Sequence, residues 1–508
     1  MATEPGNLNA EHLIIERSSY RQIFKATSIF GGVQVFNIII GIVRVKFVAV
    51  LLGTTGVGLM GLLNAPLQLI ISITGLGIAF SAVRDISEAH GSADQTKIAK
   101  AIITLRRWSW FTGLLGSVVT LTLAPLLSKW TFGNGEYTWA FVWLSITLLL
   151  QTLSKGQIAI IQGTRRLKEM AKASIFGSFI GLLTAVPLFY YFGVDGIVPS
   201  LIISAITSLL LSWHFSRKVA IEPVIMSFRD SMYSGKSMVK LGIVMTITGI
   251  IGFFTGYVLN AFISRTGGVD QVGLYNAAGS VISQSTGLVF AAMTTDYFPR
   301  LAEVNKDDSK VSLLVNQQAE MVILILTPIL ILLISLMPLL IHLFYTPAFL
   351  GVLVLANWMI LGILIKGLAW PVGFIFPAKG DLRAFSIIEI TTMVFSIITN
   401  ILGYHFFGLE GLGISFVLGY IFGITLNLLV GYKKYGFRYS NTSTKGFFKS
   451  LLLVSVVFLA SYFLIGPLRY WSLSIVFIVS VVYSLKGLDH KIGLKGLLNS
   501  FLNNIKVK

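Results

Sequence analysis

Long apolar runs dominate this chain, and its polar positions fall in short clusters between them. A helix that crosses the roughly 30 Å hydrocarbon core of a bilayer needs about 20 apolar residues. Reading for such runs predicts spans near 23–50, 57–83, 108–128, 138–161, 173–192, 195–215, 241–263, 272–295, 320–343, 350–376, 384–404, 409–431, 447–466 and 469–485. Only Gly466, Pro467 and Leu468 separate the last two. Inside several spans the polar residues recur at three- and four-residue steps, the period of one helix face. The first span carries Gln34, Asn37 and Arg44 on such a stripe, the second Asn64 and Gln68, and the eighth Asn276 and Ser280. In lipid a stripe of this kind faces protein or a wet cavity. Helix–helix packing through small and polar residues produces the same pattern, so a single stripe does not separate the two. Stripes on spans 1 and 2, and again on 7 and 8, favour a shared polar cavity.

The chain also repeats itself. Val57-Gly58-Leu59 opens the second span and Val272-Gly273-Leu274 the eighth. Phe192-Gly193-Val194-Asp195-Gly196-Ile197 opens the sixth, and Phe407-Gly408-Leu409-Glu410-Gly411-Leu412 opens the twelfth. Both pairs are offset by 215 residues. Six spans per half give the halves the same topology, so the repeat axis lies along the membrane normal. The expected fold is therefore an all-α polytopic membrane protein. It has two six-helix bundles, 23–215 and 241–431, in a parallel pseudo-repeat around a central cavity, plus two C-terminal helices over 447–485. Residues 1–22, 216–240, 432–446 and 486–508 are expected on the cytoplasmic side, the last as a basic tail.

Composition makes lipid the solvent. Of 508 residues 55% are apolar and 12% charged, where a soluble domain carries about 25% charged residues. The net charge of +18 first suggests nucleic acid, but its placement excludes that partner. On the span map 32 of the 39 Lys and Arg lie on one side, while Arg44, Lys46, Lys129, Arg265 and Arg469 lie on the other. The positive-inside rule puts the basic side and both termini in the cytoplasm, with short basic loops against anionic headgroups of the membrane lipids. A nucleic-acid module gathers its charge on one folded face instead. The polar stretch before the first span has no short apolar core, so no cleaved signal peptide is expected and the first span serves as the targeting signal.

Two cations remain inside spans, Lys155 and Lys366. Lys366 sits near the middle of the tenth span, where a charge is costly unless paired or hydrated. Glu389, in the eleventh, lies at a depth Lys366 could reach, so a structural ion pair competes with a substrate-binding role. Arg84 with Asp85 ends the second span and Asp296 with Arg300 ends the eighth; loop anchoring and gating salt bridges are the two readings there. More cations than carboxylates inside the spans points to an anionic substrate group such as phosphate, where a carrier of organic cations would show the reverse.

Several chemistries are excluded. With no cysteine, disulfides and thiolate metal sites are impossible. The six histidines form no metal-ligand spacing, no phosphate-binding GxxxxGK[ST] loop is present, and no cofactor is expected beyond coupling by a proton, sodium or the membrane potential. An integral-membrane glycan enzyme would need a large outer loop with catalytic residues, and the longest here is about ten residues. A non-transporting scaffold for glycan assembly stays open.

The segment Leu51-Leu52-Gly53-Thr54-Thr55-Gly56-Val57-Gly58 resembles the polysaccharide flippases of the multidrug/oligosaccharidyl-lipid/polysaccharide exporter superfamily. So do Val272-Gly273-Leu274-Tyr275-Asn276, Pro299-Arg300-Leu301, Leu361–Lys379 and Arg383–Ile390. The O-antigen and common-antigen translocases are the nearest type. The resemblance implies a flippase in the bacterial inner membrane that moves an undecaprenyl-pyrophosphate-linked oligosaccharide from the inner to the outer leaflet. It also implies glycan polymerase and glycosyltransferases as partners. Lys366 and Glu389, with the mouth residues Asp85, Asp296 and Arg300, occupy the positions that this family's cavity and gates favour. Many O-antigen flippases have twelve helices; the extra pair is similar to the lipid-II flippases, so a lipid-II or multidrug exporter of the same superfamily is the alternative.

Overall fold

The computed structural model of the chain describes residues 5–92, 94–219, 223–464 and 466–492. Among them every regular element is helical. Contacts divide the chain into two units. The first comprises Met1–Gly56 and Leu62–Tyr257, the second Val57–Gly61 and Val258–Lys508.

The first unit holds α1 (Pro5–Thr74, apart from Val57–Gly61), α2 (Ile78–Gly91), α3 (Gln95–Phe132), α4 (Thr138–Gly163), α5 (Leu167–Phe192), α6 (Ile197–Ser216) and most of α7 (Phe228–Gly267). The second holds α8 (Val269–Glu303), α9 (Asp308–Phe344), α10 (Leu353–Gly373), α11 (Ile375–Ala378), α12 (Leu382–Tyr435), α13 (Asn441–Phe463) and α14 (Pro467–Ile492). Nine helical stretches among the described residues are long and apolar enough to cross a membrane. Three of these are two crossings each: Phe36–Thr74 breaks at Gly53, Leu382–Tyr435 breaks at Gly408, and Leu167–Ser216 joins α5 to α6 through Gly193–Gly196. With α7 and α8 the fourteen expected spans are all helical. One boundary differs. The second span, expected as continuous, stops at Thr74 and restarts as α2, with Leu76 (φ 49) and Gly77 (φ 62) in left-handed conformation. Gly77 lies backbone to backbone against Gly242 of α7, and a side chain on either would collide with the other strand of main chain.

The repeat is visible in the backbone itself. Gly53 (φ 65, ψ −160) and Gly268 (φ 88, ψ 170) turn the chain at one pair of equivalent sites. Gly193 (φ 55, ψ −131) and Gly408 (φ 58, ψ −138) do so at the other. Each pair is 215 residues apart, and these conformations are almost exclusive to glycine. The second glycine of each hexapeptide has a different task. A Cβ on Gly196 would strike the Leu188 carbonyl, and one on Gly411 the Gly403 carbonyl, again equivalent positions. The hexapeptide is thus a bend glycine followed by a close-approach glycine.

Six of the seven turns from odd to even crossings use a positive-φ glycine, Gly53, Gly133, Gly193, Gly268, Gly408 and Gly466, the α9-to-α10 turn being the exception. Gly380 and Gly436 are positive-φ glycines at two even-to-odd turns. Turns from even to odd crossings are longer and several have side-chain caps. Asp94, Asp307, Asp381 and Ser440 accept from the first backbone N–H groups of α3, α9, α12 and α13, which satisfies donors that no helix can pair internally. In the second unit α13 and α14 pack on α9. Asn316 and Glu320 of α9 gather Ser440 and Ser443 at the start of α13, and Lys491 of α14 pairs with Glu320.

Candidate functional site

The first unit contains three adjoining cavities. One, of about 330 Å³, is lined by Gln68 and Ser72 of α1, the Gly75–Phe80 break, Ser109, Thr112, Thr152, Lys155 and Thr246. The next, about 580 Å³, shares Ala79, Phe80 and Lys155 with it and reaches Arg84 and Gln162. The third, about 370 Å³, shares Ile158 and Ser208 with the second and ends at Arg44. Three cations, Arg84, Lys155 and Arg44, therefore line one tract, and no Asp or Glu is among its described lining residues. Lys155 stands at the junction of the first two cavities and is exposed there. The break at Gly75–Gly77 turns the positive end of α2 toward the same cavity as Lys155. Hydroxyls and amides supply the remaining polarity, so the tract suits an anionic group carrying hydroxyls.

Other sequence-predicted residues fall in separate places. Asn37 is bonded to α5: its Nδ2 donates to Ser174 Oγ (2.7 Å), and Ser178 Oγ donates to its Oδ1 (2.8 Å). That part of the first stripe is a packing face, two helical turns before Arg44 reaches the third cavity. The side chains of Gln34 and Asp296 lie outside the described residues. Asn64 and Arg300 each have a partner within the fold. Arg84 is exposed and Asp85 half-buried.

In the second unit Lys366 projects from α10 with its Nζ 4.9 Å from the Phe290 ring centroid and 6.0 Å from that of Tyr420. It forms no ion pair among the described residues, and neither does Glu389; both are half-buried. The two are therefore not a structural pair. Asn276 faces Gly61, and its Nδ2 is buried without a partner, while Ser280 hydrogen-bonds the Tyr345 phenol. Lys155 and Lys366 lie on α4 and α10, the fourth and tenth crossings, which the repeat makes equivalent. Their offset is 211 residues rather than 215, one helical turn out of register. Each half of the repeat thus carries one cation on its fourth crossing.

At the even-to-odd face of this unit, Lys379 pairs with Asp308 (2.6 Å) and donates to the Asn305 carbonyl (2.5 Å). Beside it Asp381 accepts from Lys434 (2.6 Å), the Ala384 amide (3.1 Å) and the Tyr435 phenol (2.7 Å). These bonds, that of Lys434 first, hold the Asp381 carboxyl at about 2.

Sequence reasoning missed a ladder of five serines, Ser200, Ser204, Ser208, Ser212 and Ser216, at every fourth residue of α6. Ser208 and Ser212 hydrogen-bond Ser154 of α4 (2.9 and 3.1 Å), and Ser216 donates to Gln157 (2.6 Å). The four-residue period was its signal.

Residues 47–354 match the family model described as polysaccharide biosynthesis protein. The chain belongs to that family. Among its relatives is a Shigella flexneri protein named "Putative O-antigen transporter", 26% identical over 297 residues, which cover 58% of this chain and 69% of that protein. The fold is that of lipid II flippase MurJ in an inward closed conformation, with a TM-score of 0.67 at 13% identity over 92% of this chain and 99% of that one. An inward-facing multidrug resistance MATE family transporter of the MOP superfamily has the same fold, with a TM-score of 0.64 at 16% identity over 81% of this chain and 96% of that one. This member of the polysaccharide biosynthesis family is a multi-pass membrane protein with a MurJ- and MATE-like helical fold.

Proposed function

We propose that this chain is a flippase for a lipid-linked oligosaccharide, carrying an undecaprenyl-pyrophosphate-linked repeat unit of a surface polysaccharide such as O-antigen from the inner to the outer leaflet. The observation that carries the reading is the cationic tract with no carboxylate among its described lining residues. Lys155 in the first unit and Lys366 in the second are the cations assigned to the pyrophosphate, each acting from its own unit. Gln68, Ser72, Ser109, Thr112 and Thr152, which line the same cavity as Lys155, are the groups assigned to sugar hydroxyls. Charge-assisted bonds to phosphate are the strong ones, so the cations set affinity and the neutral groups orientation. The apolar tail needs no site because lipid already solvates it.

The positive-inside distribution favours the cytoplasmic membrane of a bacterium with both termini in the cytoplasm. Coupling by a proton, sodium or the membrane potential, with Glu389 as the titrating group and the Arg84, Asp85, Asp296 and Arg300 positions as gates, belongs to the same proposal. The glycan polymerase and glycosyltransferases acting on the same lipid are the proposed partners.

The test is a leaflet-accessibility assay in liposomes with a short undecaprenyl-pyrophosphate oligosaccharide, comparing wild type, Lys155→Ala and Lys366→Ala. Wild type is expected to exceed empty liposomes, and each variant to lose at least about tenfold in rate, the loss of one charge-assisted contact. Wild-type movement no faster than empty liposomes, or competition by an organic cation instead of by pyrophosphate, sinks the substrate assignment.

A further inference from the structure

At the even-to-odd face the two halves of the repeat differ in charge. In the second, Asp381 caps α12 and pairs with Lys434 near that helix's other end (2.6 Å). The residue 215 positions earlier is Arg166, at the same place before α5. It meets the end of α6 with a cation instead, its Nη1 donating to the Lys218 carbonyl (2.5 Å). Arg217 and Lys218 directly follow α6 and are exposed, and the charge of Arg217 acts on Arg106 of α3. Arg106, Arg166, Arg217 and Lys218 thus share one corner, and none of them forms an ion pair among the described residues. Two exposed apolar stripes run into this corner. On α6, Ile206, Leu210 and Trp213 lead at four- and three-residue steps to Arg217. On α5, packed beside it, Leu183, Phe179 and Phe176 lead by the same steps to Lys172. In a membrane protein such stripes meet acyl chains.

We infer that this corner of the first unit is a docking site for an anionic phospholipid of the phosphatidylglycerol class, its headgroup among Arg166, Arg217 and Lys218 and its acyl chains along the α5 and α6 stripes. Basic pockets between membrane helices bind such headgroups, each cation near the surface contributing about fivefold. The second half supplies the negative charge itself, through Asp381. The first half, with an arginine in that place, takes it from the membrane. Trp213 stands between headgroup and chains, the level at which an indole sits best, and the Arg217 guanidinium lies 4.2 Å above its ring. A free anion would meet the same cations and leave both stripes unused, so the occupant is a lipid. The site is apart from the tract, because none of its cations is among the described residues lining the three cavities.

The experiment uses the full chain in phosphatidylcholine nanodiscs and reads quenching of Trp213 by lipids brominated on the acyl chain. The Trp213→Phe protein gives the signal of the other tryptophans. Brominated phosphatidylglycerol is expected to half-quench Trp213 at a mole fraction at least about fivefold below that of phosphatidylcholine with the same chains. Arg217→Gln combined with Lys218→Gln is expected to bring that ratio below about twofold. So is Arg166→Asp, which places in the first half the carboxylate that the second half has. Lys97→Gln, whose cation already pairs with Asp94, is expected to leave the wild-type ratio in place. A wild-type ratio below about twofold overturns the site. So does a ratio that survives both the double variant and Arg166→Asp, or one that Lys97→Gln lowers as far as they do. Release of the brominated lipid by millimolar pyrophosphate also overturns it, by making the corner a free-anion site. Should the double variant fail to fold, Arg166→Asp decides alone, since aspartate is a favoured helix cap. No transport is measured, so the result stands apart from the substrate assignment.

Discussion

Replacing Lys366 by methionine separates a functional cation from a structural one. An ammonium at the centre of a membrane helix costs roughly 2.5–3.5 kcal/mol on insertion scales. The only compensation found for Lys366 among the described residues is the ring of Phe290 at 4.9 Å and, more distantly, that of Tyr420. Cation–π contacts contribute about 0.5–2 kcal/mol. The difference leaves this lysine at a net cost on the order of 1–2 kcal/mol, once some hydration of its half-exposed side chain is allowed. Methionine keeps the length and apolar packing of the stem and removes the charge. Lys366→Met is therefore expected to raise stability by about 1–2 kcal/mol in reversible unfolding from mixed micelles, and to abolish transport in liposomes. The opposite result, a variant at least 1 kcal/mol less stable that still transports, would refute the reasoning and make Lys366 a structural residue.

Two further outcomes follow from the geometry. A Cβ on Gly408 meets nothing within 4 Å, yet its φ of 58 is one that other residues avoid; Gly408→Ala should cost about 1–3 kcal/mol from backbone strain alone. Gly279→Ala, equally open but inside α8 with helical backbone, should be neutral or gain up to about 1 kcal/mol, and equal losses at both positions would refute the conformational argument. For Asp381, folding lowers the carboxyl from 3.8 to about 2. Its contribution is therefore complete above the unfolded value and lost as pH falls from about 4 toward 2. Thermal unfolding of wild type and Asp381→Asn should show a gap that is constant above pH 5 and closes across that window; a gap that widens with acid would invert the sign and reject the bonding scheme.

The sequence made the number of crossings legible because lipid demands long apolar runs, and no tertiary contact overrides that requirement. Its repeated hexapeptide also marked one bend in each half, since a glycine needed for φ and a glycine needed for close approach leave the same mark in both; the bends at Gly53 and Gly268 lie four residues before the other repeated motif. The azimuth of a side chain is another matter. Asn37 and Arg44 share one stripe, yet Asn37 is spent on Ser174 and Ser178 while Arg44 lines a cavity. A polar stripe records only that its face is not lipid. Depth is similarly insufficient for Lys366 and Glu389, which reach comparable levels on neighbouring crossings without pairing. The serine ladder of α6 escaped notice because a serine in a membrane helix commonly bonds its own backbone, and the partners of Ser208, Ser212 and Ser216, Ser154 and Gln157, lie 54 to 59 positions earlier.

The tie between Glu320 and Lys491 has a consequence for how the protein is made. Glu320 is 11% exposed on α9, and its cation lies 171 residues further along the chain. At about 5–20 residues per second, a ribosome reaches Lys491 on the order of 10–30 s after Glu320 has been synthesised. Throughout that interval a carboxylate at the edge of an apolar helix lacks its counter-charge, and Asn316 and Glu320 lack Ser440 and Ser443 for part of it. A nascent chain that stops short of α14 carries that defect permanently. Closing that acidic site is therefore a task that falls to α14, the helix that carries Lys491.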